Sequence, residues 1–369
     1  MHKITFYPLG NADTCRIDLA NGRTLLFDYA NVRDPKDATD KRIDLPADLR
    51  AHLAATKRDD YDVVVFTHLD NDHVCGAGDF FHFDHAAKYQ GGGRVKIKEL
   101  WVPATAIYDG DCVEDARVIR QEARHRLREG YGIRVFSRPD RLKDWLEEQG
   151  LTLESRRSFI VDAGNVIPGF TVARDQVEFF LHSPHAYRTD AGELIDRNGS
   201  SIVVQATFQA GGRESKLILA ADVTHETLAD IVDMTKRHAN EERLEWDVFK
   251  LPHHGSYTAI GPEKGDDVTK PTPQVAWLYD QARHGAQLVC SSWRRDAADT
   301  VQPPHKQAVK FYEGVARKKL GELTITMEYP SSTAPKPFVV IIDEDGVTPR
   351  KIVPAVATTL AATSAPRAG

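Results

Sequence analysis

The segment Thr67-His68-Leu69-Asp70-Asn71-Asp72-His73 contains four side chains that can bind a metal, all between positions 68 and 73. It follows the unbroken apolar run Val63-Val64-Val65-Phe66, which is typical of a strand buried on both faces. Histidine nitrogen and carboxylate oxygen both suit zinc, and carboxylate oxygen also suits manganese. We therefore predict a metal-binding loop at the end of a buried strand; the alternative is an ordinary polar loop.

Other residues of the same chemical kind also stand directly after predicted strands. They are Asp28 after Leu25-Leu26-Phe27, His182 and His185 after Phe179-Phe180-Leu181, Asp222 after residues 218–221, and His253-His254 after Phe249-Lys250-Leu251. Loops at strand ends are held by a rigid sheet, which makes them the usual place for a functional site. Alone, Asp222 is equally typical of a helix cap, and His253-His254-Gly255 of a polar turn. Together with the first segment they favour a metal site.

Periodicity and turn residues predict an α/β protein. Strands are predicted at 4–9, 15–19, 24–27, 61–67, 95–102, 177–182, 201–208, 216–221, 248–252, 275–279, 288–291, 323–328 and 338–343. Helices are predicted at 46–57, 113–129, 142–149, 224–238 and 305–320. This alternation, with an antiparallel start, indicates a sandwich of mixed sheets. We expect one domain over 1–350 with a helical insertion at about 104–158, and a disordered tail at 354–369.

Composition narrows the function classes. Lys and Arg total 48 and Asp and Glu total 54, so the net charge of −6 argues against strong non-specific binding of nucleic acid, although a local basic groove would be compatible with it. The four cysteines, Cys15, Cys75, Cys112 and Cys290, are too scattered for a disulfide framework or a cysteine zinc site. No apolar run reaches about 18 residues, and no apolar segment opens the chain. We expect a cytoplasmic protein that does not associate with membranes.

In this order, the segments resemble the motifs of the metallo-β-lactamase superfamily. His68-Leu69-Asp70-Asn71-Asp72-His73 resembles its H-x-[HD]-x-D-H motif, and Asp70 at the third position is similar to the ComEC-like branch. Further similar segments are 6–13, 24–28, Asn198-Gly199-Ser200-Ser201-Ile202-Val203, 217–222, 251–256 and Pro304-His305. The resemblance spans roughly residues 4–328 and implies an αββα sandwich, in which two mixed sheets are flanked by helices.

The resemblance also implies a binuclear centre. Two divalent ions, zinc by default or manganese, would share a bridging hydroxide. The family pattern assigns the first ion to His68, Asp70 and either His182 or His185, the second ion to Asp72, His73 and either His253 or His254, and the bridge to Asp222. Asp72 and His305 are the expected catalytic residues, with His305 donating a proton to the leaving group. The alternative for His305 is a surface residue at a helix start.

Three functions follow as hypotheses. The first is a phosphodiesterase or nuclease, with nucleic acid as a possible substrate. The second is a hydrolase of a small ester, lactone, thioester or cyclic nucleotide, and the third is a non-catalytic subunit of a larger system. Two segments are candidate nucleic-acid contacts: a helix face with arginines at 117, 120, 124 and 128, and Ser292-Trp293-Arg294-Arg295. A solvated face of mixed charge is the favoured interpretation of the helix, and a surface loop is the alternative for the second segment. Protein partners are not predicted.

Overall fold

The computed structural model describes residues 1–186, 197–295, 300–350 and 352. Within these residues the strands form two mixed sheets, one of nine strands and one of six. The tail predicted at 354–369 lies outside the described residues, as does most of the segment between His185 and Arg197.

The nine-stranded sheet leads into the segment 67–73, the predicted metal-binding loop. Its order is β15-β14-β1-β2-β3-β4-β5-β6-β7. The strands are β1 (His2–Phe6), β2 (Cys15–Asp18), β3 (Thr24–Phe27), β4 (Asp60–Val65), β5 (Lys96–Pro103), β6 (Ile133–Phe136), β7 (Ile160–Val161), β14 (Phe338–Asp343) and β15 (Gly346–Pro349). Pairing is antiparallel from β15 to β3 and parallel from β3 to β7.

The six-stranded sheet contains the later motifs. Its order is β13-β12-β11-β10-β9-β8. The strands are β8 (Val177–Ser183), β9 (Val203–Ala210), β10 (Arg213–Ala220), β11 (Trp246–Lys250), β12 (Ala282–Cys290) and β13 (Glu322–Ile325). Strands β8 to β10 are antiparallel, and β10 to β13 are parallel.

The two sheets pack face to face, with helices on their outer faces. Phe6 and Val65 of one sheet and Leu217 and Val248 of the other belong to the same buried core. The helices are α1 (Leu45–Ala55), α2 (Asn71–Val74), α3 (Ala77–Phe80), α4 (Thr105–Tyr108), α5 (Glu114–Glu129), α6 (Asp140–Glu148), α7 (Leu153–Arg156), α8 (Val172–Asp175), α9 (His225–Arg237), α10 (Pro273–Asp280) and α11 (Lys306–Lys318). Helices α1, α5 and α6 cover the larger sheet, and α9 to α11 cover the smaller one. The predicted fold class, two mixed sheets flanked by helices, is confirmed.

One predicted strand is wrong. Residues 275–279 belong to α10, which has Pro273 in its first turn. The Thr272 side chain caps this helix by accepting a hydrogen bond from the Val275 amide. The buried residues Val275, Leu278 and Tyr279 recur at helical spacing and pack against the smaller sheet. A short apolar run does not distinguish a strand from a buried helix, and here the proline and the cap decide for the helix.

The stretch at 104–158 contributes to the larger sheet as well as to the helical layer. Helices α4 to α6 lie in it, but so does β6, which pairs in parallel with β5. None of the helices formed by the described residues combines the length and the apolar character needed to cross a membrane.

Candidate metal centre

The candidate site is built from loops at one edge of the sandwich. The segment 67–73 follows β4, and Asp28 follows the neighbouring parallel strand β3. In the other sheet Asp222 follows β10, and His254 follows the adjacent parallel strand β11. Because the carboxyl ends of parallel neighbours meet at one edge, each sheet delivers its polar residues to the same place.

Two groups of side chains bring their ligand atoms together. In each group every ligand atom lies within 4.8 Å of the others. The first group comprises Asp13, His73, Asp222 and His254, and the second comprises His68, Asp72 and His73. All of them are buried except Asp72, which is partly exposed. Because His73 belongs to both groups, they form one continuous cluster.

His73 is oriented by a buried carboxylate. Its Nδ1 lies 2.8 Å from Asp28 Oδ2, and its Nε2 lies 3.3 Å from Asp222 Oδ1. Asp28 also accepts hydrogen bonds from the amide and the hydroxyl of Thr67, both at 2.7 Å. An acceptor at Nδ1 fixes the ring and leaves Nε2 directed into the cluster, which is the usual support for a metal-binding histidine.

His254 is oriented in the same way by a backbone carbonyl. Its Nδ1 donates to the Ser291 carbonyl at 2.8 Å. Its Nε2 lies 3.1 Å from Asp72 Oδ2 and 3.3 Å from Asp222 Oδ2. The two oxygens of Asp222 therefore face different histidines.

Buried atoms without hydrogen-bond partners show that this cluster fits a metal. His68 Nε2 is buried and makes no hydrogen bond, and the buried atoms His73 Nε2 and Asp222 Oδ1 face each other at 3.3 Å without good hydrogen-bond geometry. A buried polar atom without a partner is costly, so native proteins satisfy nearly all of them. Nitrogen and carboxylate oxygen are the donor set that zinc prefers, and the carboxylates also suit manganese. A divalent ion would satisfy these atoms.

The charges of the metal-free cluster are strongly coupled. Burial opposes a charge on His254, but Asp222 and Asp72 outweigh it and raise the pKa of His254 to about 10. The pKa of His73 likewise lies well above its usual range, because Asp222 and Asp28 outweigh burial. Burial and the neighbouring His73 instead lower the pKa of His68 to about 4. Histidine binds metal in its neutral form, so loading the site would displace protons from His73 and His254.

Asp70 lies at the rim of the cluster rather than within it. Its Oδ2 is 3.8 Å from His68 Nε2, and its side chain is 37% exposed. Neither of the two groups includes Asp70. Its predicted role as a ligand beside His68 therefore stays a prediction.

Sequence reasoning missed Asp13 and Lys250 as parts of the site. Both are buried, and the Lys250 ammonium contacts Asp13 Oδ2 directly, so Lys250 neutralises one of the carboxylates of the cluster. In the sequence, Asp13 stands out only as the last residue of the segment 6–13 that resembles the family. The available signal was a lysine inside the apolar run 248–251, since buried lysines are rare without a charged partner.

His182 and His185 lie elsewhere. His182 Nε2 is 3.0 Å from the Arg243 carbonyl, and both histidines line a cavity of about 240 Å³ beside α9. The reason is strand alternation: Phe179 and Leu181 face the core between the sheets, so Phe180 and His182 point to the helix side. Among the described residues, neither histidine joins the metal cluster.

The adjacent histidines after β11 separate. His254 enters the cluster, whereas the ring of His253 lies 6.3 Å from that of His254 and belongs to neither group. The next residue, Gly255, approaches Cys290: its φ is +78°, and a Cβ there would lie 3.0 Å from Cys290 Sγ.

His305 uses both ring nitrogens in backbone contacts. Its Nδ1 accepts from the Tyr257 amide at 3.3 Å, so Nε2 carries the proton and donates to the Val301 carbonyl at 3.1 Å. The ring is buried. These contacts favour a role in holding the loops beside His254, and proton donation by His305 stays a prediction.

The predicted arginine face is not an open basic surface. Arg120 is buried and donates to the Asp109 carbonyl, and Arg124 donates to the Ile107 carbonyl at 2.5 Å. A solvated face is therefore also wrong for these two arginines, which hold the α4–α5 connection. Trp293 is 40% exposed, with the Arg42 guanidinium 5.3 Å from its ring, and its binding role stays a prediction.

Comparisons with known proteins find similarity only among solved structures. No protein-family model and no curated protein matches the chain. One similar structure is a diphosphatase of the PhnP family (10% identity, 79% of this chain and 87% of that one, TM-score 0.32). Others are a class B3 di-zinc metallo-β-lactamase, LRA-12, from an Alaskan soil metagenome (11%, 75% and 89%, TM-score 0.33) and unliganded yeast PDE1 (10%, 88% and 96%, TM-score 0.41). At these values we base no functional argument on the similarity, and the fold class rests on the layers described above.

Proposed function

We propose that this chain is a metal-dependent hydrolase that acts on phosphodiesters, with nucleic acid as a possible substrate. The observation that carries the proposal is the convergence of histidine nitrogens and carboxylate oxygens in two groups that share His73, with every ligand atom of a group within 4.8 Å of the others. Ionisable side chains are rarely buried unless they are paired or bind a metal, so a protein that used this edge only for packing would not collect them here.

Two sets of residues would hold the metal. His73, His254 and Asp222, which form one group with Asp13, would hold one ion together with Asp72, whose Oδ2 lies 3.1 Å from His254 Nε2. His68, with Asp70 at 3.8 Å, would hold part of the site for a second ion. A bound divalent ion would polarise the substrate and lower the pKa of a bound water. The chain's own contribution is orientation: Asp28 holds the ring of His73, and the Ser291 carbonyl holds the ring of His254.

The phosphodiester class is favoured by the continuity of the two ligand groups. They share His73, and Asp222 presents its two oxygens to two histidines. Such an arrangement is suited to two neighbouring ions, and paired ions suit an in-line displacement at phosphorus. The sequence motifs that resemble the ComEC-like branch favour the same class. Zinc is the expected metal, with manganese as the alternative.

The test is a substrate comparison with a matched variant. Protein loaded with Zn²⁺ or Mn²⁺ is assayed with bis(p-nitrophenyl) phosphate, single-stranded DNA, a lactone and a thioester, beside Asp72→Ala/His73→Ala. We expect turnover of the phosphodiesters and its loss in the variant. Turnover confined to the lactone or the thioester would contradict the substrate class. No turnover of any substrate by metal-loaded protein would contradict the hydrolase proposal and favour a binding subunit.

A further inference from the structure

Hydrogen bonds connect Asp109 of the insertion, Arg197 and Asp70 at the rim of the metal cluster. Arg197 Nε donates to Asp109 Oδ2 at 2.7 Å, and Arg197 Nη1 donates to Asp70 Oδ1 at 3.2 Å. The guanidinium thus bridges two carboxylates that are 39 positions apart in the chain. Its fork of donors suits this geometry, which a lysine ammonium would not reproduce.

The Asp109 end of this series of hydrogen bonds is firmly held. The Asp109 side chain is 3% exposed, and its other oxygen, Oδ1, accepts from the Asp111 amide at 2.9 Å. Its backbone amide donates to the Thr105 carbonyl at 2.8 Å, and its carbonyl accepts from Arg120 of α5. Asp109 is therefore a fixed anchor within the α4–α5 connection.

The Asp70 end is the part that needs support. Asp70 directly precedes α2 but makes no side-chain capping bond to that helix. Its two oxygens face different partners: Oδ1 faces Arg197, and Oδ2 lies 3.8 Å from His68 Nε2. A half-exposed carboxylate without such a contact would rotate freely in water. With Oδ1 held by a charged donor, Oδ2 stays on the side of His68.

We propose that Arg197 is a positioning residue for a second metal ion, which it serves by keeping Asp70 Oδ2 beside His68. This inference rests on the proposed function, since it takes the cluster to be a metal centre. Groups that hydrogen-bond to a metal-binding carboxylate fix its orientation without touching the metal. The insertion at about 104–158 then has a function in the site. Through Asp109 and Arg197 it orients Asp70, the third position of the metal motif.

The experiment counts ions and measures the affinity of each. Metal-free wild type, Arg197→Gln, Arg197→Lys and Asp109→Asn are dialysed against chelator-buffered Zn²⁺, and bound zinc is measured by elemental analysis. Arg243→Gln is the matched control, because Arg243 is a similarly exposed arginine paired with Glu178 at 2.5 Å, away from Asp70. Thermal unfolding of each metal-free variant reports on the fold independently.

We expect two ions in wild type and in Arg243→Gln. In Arg197→Gln the tighter ion should bind as in wild type, whereas the affinity for the weaker one should fall about 10- to 100-fold. Arg197→Lys should lose less, and Asp109→Asn should fall between them. Lower unfolding temperatures without a change in zinc binding would mean that Arg197 only stabilises the fold, and this result would overturn the inference. So would fewer than two ions in wild type. Two ions in wild type without hydrolysis of any substrate would instead contradict the proposed function and leave this inference standing.

Discussion

Three strand ends in this molecule carry histidines and look alike in sequence, but one of them differs from the other two in structure. After β4 and β11, His73 and His254 each use Nδ1 to contact the protein and turn Nε2 toward Asp222. At the end of β8, within the strand, His182 turns its Nε2 toward the Arg243 carbonyl in a cavity beside α9. A histidine at a strand end therefore becomes a candidate ligand only when a partner fixes one nitrogen and carboxylates face the other.

The largest expected effect separates the adjacent residues His254 and His253. His254→Ala should abolish metal-dependent turnover, because it removes a side chain of the cluster, takes the histidine from Asp72 Oδ2 and leaves Asp222 with His73 alone. The loss of turnover should be greater than about 10- to 100-fold, which is the loss typical of replacing a residue that only orients a metal ligand. His253→Ala is the matched control and should keep most of the activity. Steady-state kinetics on both variants measure the turnover. Equal losses in the two variants would contradict the conclusion that His254 belongs to the cluster and His253 does not.

A smaller effect is expected from Asp28→Asn. An amide at this position no longer holds the Nδ1 proton of His73 with a charge, so the ring loses its fixed orientation. We expect zinc affinity to fall about 10- to 100-fold, as measured by competition with a chelating dye. Asp175→Asn, which alters a buried carboxylate paired with Arg23, serves as the control. Unchanged zinc affinity in Asp28→Asn would show that His73 needs no such partner.

The pH dependence of metal-free stability gives a third test. The pKa of His254 in the folded protein is raised to about 10 from its ordinary value of 6.5, so the protonated ring stabilises the fold. That contribution is complete below pH 6.5 and is lost as pH rises through about 10. Urea unfolding in EDTA should show lower stability at pH 9.5 than at pH 7. The difference should shrink in His254→Gln, and an equal difference in both proteins would exclude His254 as its source.

The smallest effect is predicted for His182→Ala. This side chain faces the cavity beside α9, so zinc content and turnover should match those of wild type. Stability should fall by about 1–3 kcal/mol, because the Arg243 carbonyl loses a buried partner. Elemental analysis and urea unfolding measure the two quantities. Loss of an ion in this variant would place His182 among the ligands after all.

Much of the fold was predictable because its strands are apolar runs that end in polar residues. The run 63–66 and its following motif identified β4 and the loop that carries His73, and the neighbours Asp28 and Asp222 were recognisable by the same pattern. Helix α10 was not, because five apolar or aromatic residues fit either element and only Pro273 and Thr272 decide between them.

The parts of the site that escaped prediction depend on which face a strand presents. In strand β8, Val177, Phe179 and Leu181 form one face, and Glu178, Phe180 and His182 form the other. Alternation separates these faces, but it does not tell that the second one meets helix α9 instead of contributing to the site at the strand ends. That choice sends His182 away from the cluster. Asp13 and Lys250 belong to different sheets and meet only through the packing of the sandwich, 237 residues apart in sequence. The lysine in the apolar run 248–251 indicates a charged partner, but no local pattern identifies that partner as Asp13.

The central claim is that the cluster around His73, Asp222 and His254 binds metal. It is tested most directly by elemental analysis of wild type and Asp72→Ala/His73→Ala after dialysis with Zn²⁺ and removal of unbound ions. Circular dichroism establishes that both proteins are folded. The account predicts stoichiometric zinc in wild type and its loss in the folded variant. No bound zinc or manganese in wild type, or equal metal content in both proteins, would contradict it.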